Sequence, residues 1–175
     1  RLQQMDGLLD SLTTLARVMS DPIQFTTFSV KELIGEAFGL ASQRSGLLKT
    51  ELRMHIASDV ATHDRYLLLT LLKELLENAG MFGPETGSLV DVIWDTVATE
   101  WYLEVKDNGE GIPPEVQPKI FEMFYRGSEN SQGNGLGLYI ARKVLDRLGG
   151  RVDFVSKPGE TRFMFYLPHH QMQEN

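Results

Sequence analysis

A carboxylate at the end of a patterned strand is the first feature of this sequence that indicates chemistry. Trp101, Leu103 and Val105 alternate with polar or mixed residues, a period of two that predicts a half-buried strand. Asp107 continues the apolar row, where burying a carboxylate without partners would cost several kcal/mol. Asp107 is therefore either a turn residue that caps the next loop or the acceptor for a buried ligand donor, such as an exocyclic amine.

Glycines follow this strand and recur before the next predicted helix. Gly109 and Gly111 provide room and positive φ for close approach of the backbone to a ligand. Residues 133–138 read Gly-Asn-Gly-Leu-Gly-Leu, and Leu136 begins an i+4 apolar repeat that predicts an amphipathic helix. Unpaired N–H groups at such a helix start can face an anion. Alone, this motif could be a tight turn, and it matches no dinucleotide fingerprint because no strand immediately precedes it.

A long stretch with little periodicity, residues 106–134, joins the two glycine-rich turns and is broken by one short predicted helix. Loops of this length are usually functional lids or disordered segments. The cluster Ile-Phe-Glu-Met-Phe-Tyr-Arg at 120–126 favours a lid, because its aromatic side chains can pin the loop to the body. Residues 128–133 have nothing apolar to bury, so we expect residues 112–134 to be more mobile than the core and ordered in part by a bound ligand.

One helix, predicted for residues 64–82, carries polar groups among its leucines. At about 100° per residue, Asn78 falls inside the apolar half of the helix and Glu74 falls at its edge, one turn earlier. An amide in an apolar arc needs hydrogen-bond partners, and residues at i and i+4 point the same way, so the pair can address one ligand. The alternative is a solvated Glu74 and an Asn78 bonded to backbone.

In this order, these features resemble the ATP-binding catalytic domain of bacterial sensor histidine kinases, in the GHKL ATPase superfamily shared with DNA gyrase and the heat-shock chaperone ATPases. Residues 107–111 match the first glycine box of the family, residues 120–126 its phenylalanine box and residues 133–138 its second glycine box. Glu74 and Asn78 match its asparagine box. The resemblance covers roughly residues 25–168.

The resemblance implies ATP and Mg²⁺ as ligands. Asp107 would accept a hydrogen bond from the adenine amino group, Asn78 would ligate magnesium, and the second glycine turn would meet the phosphates. The residue corresponding to Glu74 is Asn in many members and, in others, a Glu acting as base, so Glu74 and Asn78 are the expected catalytic residues. The expected nucleotide-binding residues are Asn78, Phe82, Asp107, Gly109, Gly111, Ile112, Phe124, Tyr125, Arg126, Gly133, Asn134, Gly135, Leu136, Gly137, Leu138 and Thr161.

The sequence departs from the family pattern at positions that bear on the phosphates. Met81 stands where the family usually has Lys or Arg, and a thioether cannot take over that contact. We therefore expect ATP and ADP to bind with more similar affinity than in relatives. Phe82 keeps the usual aromatic without a hydroxyl, and Thr161 ends an altered Gly-Glu-Thr sequence in place of Gly-Thr. Phosphate contacts would then come from other cations, for which the candidates are Arg126, Arg142 and Lys143.

The elements that must position these residues predict an α+β fold of the kind that the resemblance implies. We expect a two-layer α/β sandwich, with a mixed, mostly antiparallel sheet covered on one face by three helices, plus an N-terminal helix. Strands are predicted at residues 25–30, 50–57, 88–96, 100–107, 151–156 and 161–167, and the three covering helices at 31–42, 64–82 and 136–148.

The first 20 residues form a predicted helix with a heptad seam. The seam consists of Leu2, Met5, Leu9, Leu12, Ala16 and Met19. So wide an apolar face needs a partner, and the family has the second helix of its dimerisation and phosphoacceptor hairpin at this place. We therefore expect residues 1–20 to belong to that hairpin, 21–168 to form the catalytic domain and 169–175 a polar tail. The alternative is a helix that packs on its own domain.

Composition narrows the classes of partner. The 175 residues are 42% hydrophobic and carry a net charge of −7, which argues against nucleic-acid binding. They include no cysteine, which excludes a disulfide framework. No apolar run reaches the roughly 18 residues of a membrane span, so we expect a cytoplasmic fragment without membrane contact of its own. A membrane anchor could lie upstream of these residues. The implied partners are a response regulator receiver domain and the protein's own dimerisation domain, in a homodimer.

Three functions compete at this point. The first is a histidine kinase catalytic domain that transfers the γ-phosphate of ATP to a histidine outside the fragment. Met81 suggests the second, a nucleotide-binding switch or pseudokinase. Glu74 suggests the third, a gyrase-like ATP-hydrolysing domain, although the heptad helix favours the first over the third. His55 and His63 lack metal-spaced partners, and neither stands on a heptad helix as an acceptor would.

Overall fold

The computed structural model describes residues 1–127 and 133–169. The polar tract 128–132 of the predicted lid, and the predicted tail beyond His169, lie outside the described residues. The helices are α1 (Leu2–Ser20), α2 (Val30–Ser42), α3 (Arg65–Phe82) and α4 (Gly137–Leu148), with short 3-10 turns at Gly46–Lys49 and Gln117–Lys119. The strands are β1 (Phe25–Ser29), β2 (Glu51–Ile56), β3 (Val60–Asp64), β4 (Leu89–Val97), β5 (Glu100–Asp107), β6 (Arg151–Lys157) and β7 (Glu160–Pro168).

Five strands form the main sheet, in the order β2-β4-β5-β7-β6. Strands β2 and β4 run parallel, and every other pair is antiparallel. The alternating pattern read from the sequence sends one row of side chains inward on each strand, including Val92, Leu103 and Phe165, which are nearly fully buried. The predicted mixed, mostly antiparallel sheet is confirmed.

Helices α2, α3 and α4 cover the inner face of this sheet, as predicted. Helix α3 begins where the Asp64 side chain accepts the backbone N–H of Leu67 at 2.9 Å, an N-cap that satisfies one of the free donors at a helix start. Helix α4 ends at Gly149, whose φ of 67° is the left-handed conformation that closes many helices. These ends set the lengths of the helices that carry the polar residues described below.

One strand was not anticipated by the sequence pattern. Strand β3 pairs antiparallel with β1 in a separate two-stranded sheet, from Phe25 opposite Asp64 to Ser29 opposite Val60. Strand β3 has only five residues and runs straight into α3, so its period of two is too short to separate from the helix that follows. His63, which lacked a metal-spaced partner in the sequence, is fully buried here, with Nδ1 accepting the Asp64 N–H at 2.9 Å.

Helix α1 packs on α4 through one stripe and leaves the other open. Leu15 and Val18 are buried, whereas Leu2 is 78% and Leu9 59% exposed. Arg147 of α4 donates to the carbonyl oxygens at the end of α1, including that of Val18 at 2.8 Å. Helix α1 therefore packs on its own domain through one face, whereas its heptad seam is exposed and its place in a dimerisation hairpin stays a prediction. Among the described residues, no helix combines the length and apolarity needed to cross a bilayer.

Candidate functional site

A cavity of about 950 Å³ lies where the helix layer meets the end of β5. Its walls come from α1, the loop after α2, the C-terminal half of α3, the loop that follows β5 and the start of α4. Volumes of this size accommodate a small-molecule ligand or cofactor. The cavity therefore collects polar residues from parts of the chain that are far apart in sequence.

Asp107 forms the buried acidic group at the end of β5. It lies in the inward row of the sheet beside Thr161 of β7, and both residues line the cavity. Only 8% of Asp107 is exposed, and burial raises the pKa of its carboxyl to about 6, although the N–H of Gly109 donates to Oδ1 at 2.9 Å. The carboxylate of Asp107 therefore caps the turn and also lines the cavity, whereas its role as acceptor for a ligand donor stays a prediction.

The two glycines after Asp107 allow the backbone to pass through crowded space. A β-carbon at Gly109 would strike the Phe82 carbonyl oxygen. Gly111 has a φ of 82°, and a β-carbon there would strike the Lys157 carbonyl oxygen, so no other residue fits without displacement of the backbone. The next N–H, that of Ile112, donates to Ser156 Oγ at 2.7 Å, which fixes the start of the loop against β6.

Glu74 is the second buried carboxylate of the cavity. Only 6% of it is exposed, and burial raises the pKa of its carboxyl to about 7; the nearby charge of Lys73, with Nζ 3.6 Å from Oε1, opposes this rise, whereas Glu77 adds to it. A β-carbon at Gly137 would lie 3.1 Å from Glu74 Oε2, so the glycine at the start of α4 packs on the carboxylate. A carboxyl with a pKa near neutrality can exchange a proton at physiological pH.

Asn78 lies one turn beyond Glu74 on α3 and also lines the cavity. The amide oxygen of Asn78 and the carboxylate of Glu74 are hard oxygen donors of the kind that Mg²⁺ prefers, and Mg²⁺ commonly completes its shell with substrate phosphates and water. Among the described residues, no cluster of three or more His, Asp or Glu forms a separate metal site. The donors of α3 therefore fit a magnesium ion that arrives with a phosphate ligand.

The second glycine turn joins the aromatic loop to α4 and to α1. Gly135 has a φ of 75°, and a β-carbon there would lie 2.6 Å from the carbonyl carbon of Phe124. Asn134 Oδ1 accepts the N–H of Leu136 at 3.0 Å, whereas its amide nitrogen donates to Ser11 Oγ of α1 at 3.0 Å. The turn thus places the N-terminal end of α4, with its free N–H groups, beside the cavity.

Most of the residues expected from the sequence line this one cavity. They are Glu74, Asn78, Phe82, Asp107, Gly111, Ile112, Tyr125, Arg126, Gly133, Asn134, Gly135, Gly137, Leu138 and Thr161. Three expected residues lie outside the lining: Gly109 packs on the Phe82 carbonyl, Phe124 is 54% exposed, and Leu136 is fully buried at the N-cap of α4. Arg142 and Lys143 pair with Asp146 along α4 and do not line the cavity either.

Sequence reasoning missed the contribution of α1 and of the loop after α2. Residues of α1, among them Gly7, Leu8 and Ser11, line the cavity, as does Arg44 from the loop. The signal available in the sequence was a second stripe on α1, offset from the heptad seam, that runs through Leu8, Ser11, Leu15 and Val18. No local pattern marked Arg44.

Comparison with known proteins agrees with this geometry. The sequence profile of the family described as histidine kinase-, DNA gyrase B- and HSP90-like ATPases matches residues 63–171. The sensory histidine kinase/phosphatase NtrB of Escherichia coli O157:H7 is 37% identical over 116 residues, which are 61% of this chain and 33% of NtrB. The chain spans no more than about a third of the curated relatives that it matches first.

Solved structures of histidine kinases share the fold. The catalytic domain of the histidine kinase ThkA superposes with a TM-score of 0.70 and 27% identity, covering 83% of this chain and 95% of ThkA's. Full-length ShkA, solved in complex with AMPPNP, gives a TM-score of 0.76 at 24% identity, covering 92% of this chain and 35% of the ShkA chain. The fold of this chain therefore has solved counterparts among histidine kinases.

Proposed function

Because this chain belongs to the family of histidine kinase-, DNA gyrase B- and HSP90-like ATPases and is the ATP-binding catalytic domain of a histidine kinase, we propose that it binds magnesium-ATP in the cavity between α3 and the loop after β5. The observation that carries the proposal is the buried carboxylate of Asp107, held at the cavity wall with its pKa raised. The AMPPNP complex of ShkA supports an adenine nucleotide as the ligand.

The adenine base would lie at the end of β5. Within the described part of the chain, the Asp107 carboxylate accepts a single backbone N–H, that of Gly109, so it has capacity for the exocyclic amine of adenine. Thr161 adds a hydroxyl beside it, already linked to Ser156 Oγ at 2.8 Å. The base would exclude water from Asp107 and complete the hydrogen bonding of this buried group.

The phosphates would lie between α3 and the second glycine turn. N–H groups at the start of α4 would face the phosphate oxygens, where the helix dipole favours negative charge. Asn78 would hold the magnesium ion, which supplies neutralisation of phosphate charge when bound. Glu74, buried with a pKa of about 7, would take up the proton of the attacking group. Positioning and charge neutralisation are the main needs of phosphoryl transfer.

In the longer protein, the γ-phosphate would pass to a histidine outside residues 1–175. Among the described residues, His55 pairs with Asp91 on the sheet, His63 is fully buried and His169 stacks on Trp101 with centroids 4.3 Å apart. None of these three lines the cavity. The acceptor would lie on the protein's own dimerisation domain, in a cytoplasmic homodimer that phosphorylates a response regulator receiver domain, as the resemblance to sensor histidine kinases implies.

Hydrolysis of ATP is the second candidate function, favoured by one observation. Glu74 stands where a base could act on water, and burial gives it a proton affinity suited to that role. A domain that hydrolyses ATP steadily without any histidine acceptor would be of the gyrase type. A domain that binds nucleotide without turnover in the full protein would be a switch or pseudokinase.

Calorimetric titration of residues 1–175 with ATP and with ADP, each with magnesium, tests the nucleotide site. We expect saturable binding of both, and a tenfold to hundredfold loss of affinity for both in Asp107→Asn, because one charge-assisted hydrogen bond contributes about 1.5–3 kcal/mol. Asp95→Asn is the matched control, since Asp95 is an exposed aspartate of the same sheet. Unchanged affinity in a folded Asp107→Asn variant would remove Asp107 from the site.

A further inference from the structure

A triphosphate site needs cations, and α3 lacks one at the expected place. Met81 lines the cavity as an uncharged side chain that is 39% exposed. Among the described residues of the cavity wall, the permanently cationic ones are Arg44 and Arg126. Arg126 was expected from the sequence, whereas Arg44 comes from a loop that no motif marked.

The loop that carries Arg44 packs directly against the residue before Met81. A β-carbon at Gly80 would lie 2.8 Å from Cβ of Ser45, and one at Gly46 would lie 3.2 Å from the Gly80 carbonyl oxygen. Leu47 is fully buried and fixes the loop to the core. Arg44 therefore projects from a rigid support next to the turn of α3 where the cation is missing.

The guanidinium of Arg44 reaches the phosphate end of the cavity. A β-carbon at Gly7 of α1 would lie 4.0 Å from a guanidinium nitrogen of Arg44, and the carbonyl oxygen of Gly7 accepts from Asn134 of the second glycine turn at 3.4 Å. The positive charge of Arg44 also helps to lower the pKa of Glu74 against the effect of burial. Arg44 thus lies in the part of the cavity wall that also contains Glu74 and the second glycine turn.

We propose that Arg44 binds the γ-phosphate of ATP, in place of the cation missing at Met81, and that Asp10 of α1 competes for it. This inference rests on the proposed nucleotide site, and it replaces the expectation from Met81 alone that ATP and ADP bind with more similar affinity than in relatives. In the structure, Arg44 forms an ion pair with Asp10, which ties the loop after α2 to α1. A γ-phosphate that binds Arg44 would break this ion pair, so binding of ATP, but not of ADP, would weaken the contact between the loop and α1.

The strengths of the two interactions make the exchange feasible. The side chains of Arg44 and Asp10 are 42% and 64% exposed, and ion pairs with such exposure contribute little to stability. An arginine fork binds phosphate oxygens through two parallel, charge-assisted hydrogen bonds, which are about twice as strong as neutral ones. The phosphate is therefore the better partner, and Asp10 imposes only a small cost on its binding.

Affinities for ATP and ADP, each with magnesium, in residues 1–175 and three variants test the inference. Arg44→Gln should lose about tenfold in ATP affinity and less than twofold in ADP affinity, because only the triphosphate places a γ-phosphate there. Asp10→Asn should gain about two- to fivefold for ATP alone. Arg142→Gln, whose arginine pairs with Asp146 on α4 away from the cavity, should match the parent chain for both nucleotides.

Restoration of the cation at its family position provides a check that does not depend on the fold of the loop. Adding Met81→Lys to Arg44→Gln should restore most of the ATP-to-ADP affinity ratio. An Arg44→Gln variant that keeps the parent ratio, or that loses ATP and ADP equally, would overturn the role of Arg44 while leaving the nucleotide site intact. A parent chain that binds neither nucleotide would overturn the proposed function and this inference together.

Discussion

At the scale of single residues, two buried carboxylates distinguish the candidate site. Asp107 and Glu74 are each less than a tenth exposed, and burial raises the pKa of both toward neutrality. Among the described residues, Asp107 accepts one backbone N–H and Glu74 lies beside Lys73, and the effect of burial on the pKa of both carboxyls outweighs these contacts. Such groups are common where a ligand completes the hydrogen bonding.

Asp107→Asn should stabilise the nucleotide-free chain above pH 6. The folded pKa of about 6 lies above the ordinary value of 3.8, so the folded state holds the proton more tightly. The unfolding free energy of the parent therefore falls as pH rises from about 4 to about 6, and the variant should avoid a loss of up to about 3 kcal/mol. Urea unfolding at pH 4 and pH 7 measures this, with Asp95→Asn as the control. Equal pH dependence in parent and variant would contradict the buried state of Asp107.

Glu74 should give the slow ATP hydrolysis of the chain its pH dependence. A base must be ionised to accept a proton, so the rate should rise through about pH 7, and Glu74→Gln should lower it by a hundredfold or more while nucleotide still binds. Release of phosphate between pH 5.5 and 8.5 measures the rate. Glu77→Gln is the matched variant: it should retain hydrolysis with a lower midpoint, because the charge of Glu77 raises the pKa of Glu74. A pH-independent rate in the parent would exclude Glu74 as the base.

At the scale of elements, α1 is the helix with two apolar stripes. The inner stripe, which includes Leu15 and Val18, packs on α4, and its polar continuation at Ser11 holds Asn134 of the second glycine turn. The outer stripe is the exposed heptad seam, including Leu2 and Leu9. One helix therefore links the site to a surface that can take a partner helix.

The two stripes predict losses of unfolding free energy of different size for the same leucine-to-alanine substitution. Leu15→Ala should lower the unfolding free energy by about 2–4 kcal/mol, because it leaves a cavity between α1 and α4. Leu9→Ala should change it by less than about 0.5 kcal/mol, since Leu9 is 59% exposed. Chemical unfolding of both variants makes the comparison. A loss of similar size in the two would mean that the seam, too, is covered, by a second copy of the chain.

At the scale of the whole molecule, the cavity proposed to bind the nucleotide is separate from every described histidine. The cavity gathers residues from α1, α3, α4 and the loop after β5, but none of its described residues is a histidine. Proximity of the reacting groups accounts for a large part of such rates. A catalytic domain of this kind depends on another element to bring the acceptor to the γ-phosphate.

Residues 1–175 should bind magnesium-ATP without phosphorylating themselves. Incubation with γ-labelled ATP, followed by acid and base treatment, should leave no acid-labile label on the chain, and ATP hydrolysis should remain slow. A triple variant, His55→Gln, His169→Gln and His170→Gln, is the control for the histidines other than buried His63 and should give the same result as the parent. Acid-labile label on the parent that disappears in this variant would reveal an acceptor in the chain itself.

The sequence by itself determined most of the elements and most of the residues that line the cavity, because these follow from local chemistry. A period of two placed β4 and β5, a period of 3.6 placed α3 and α4, and glycines marked turns where a β-carbon would strike backbone, as at Gly111. Asp107 could be singled out because a carboxylate in an apolar row is costly wherever the fold places it. The order of these motifs then identified the family.

Only the tertiary structure decided which distant segments meet at the cavity. Asn134 contacts Ser11 across 123 positions of the chain, and no local pattern encodes that contact. The burial of Glu74, placed by the sequence at the edge of its helix, follows from the packing of Gly137 against it. Arg44 became a candidate because the loop after α2 packs on Gly80. Periodicity indicates which face of an element is buried. Which other element packs against that face depends on the packing of the whole chain.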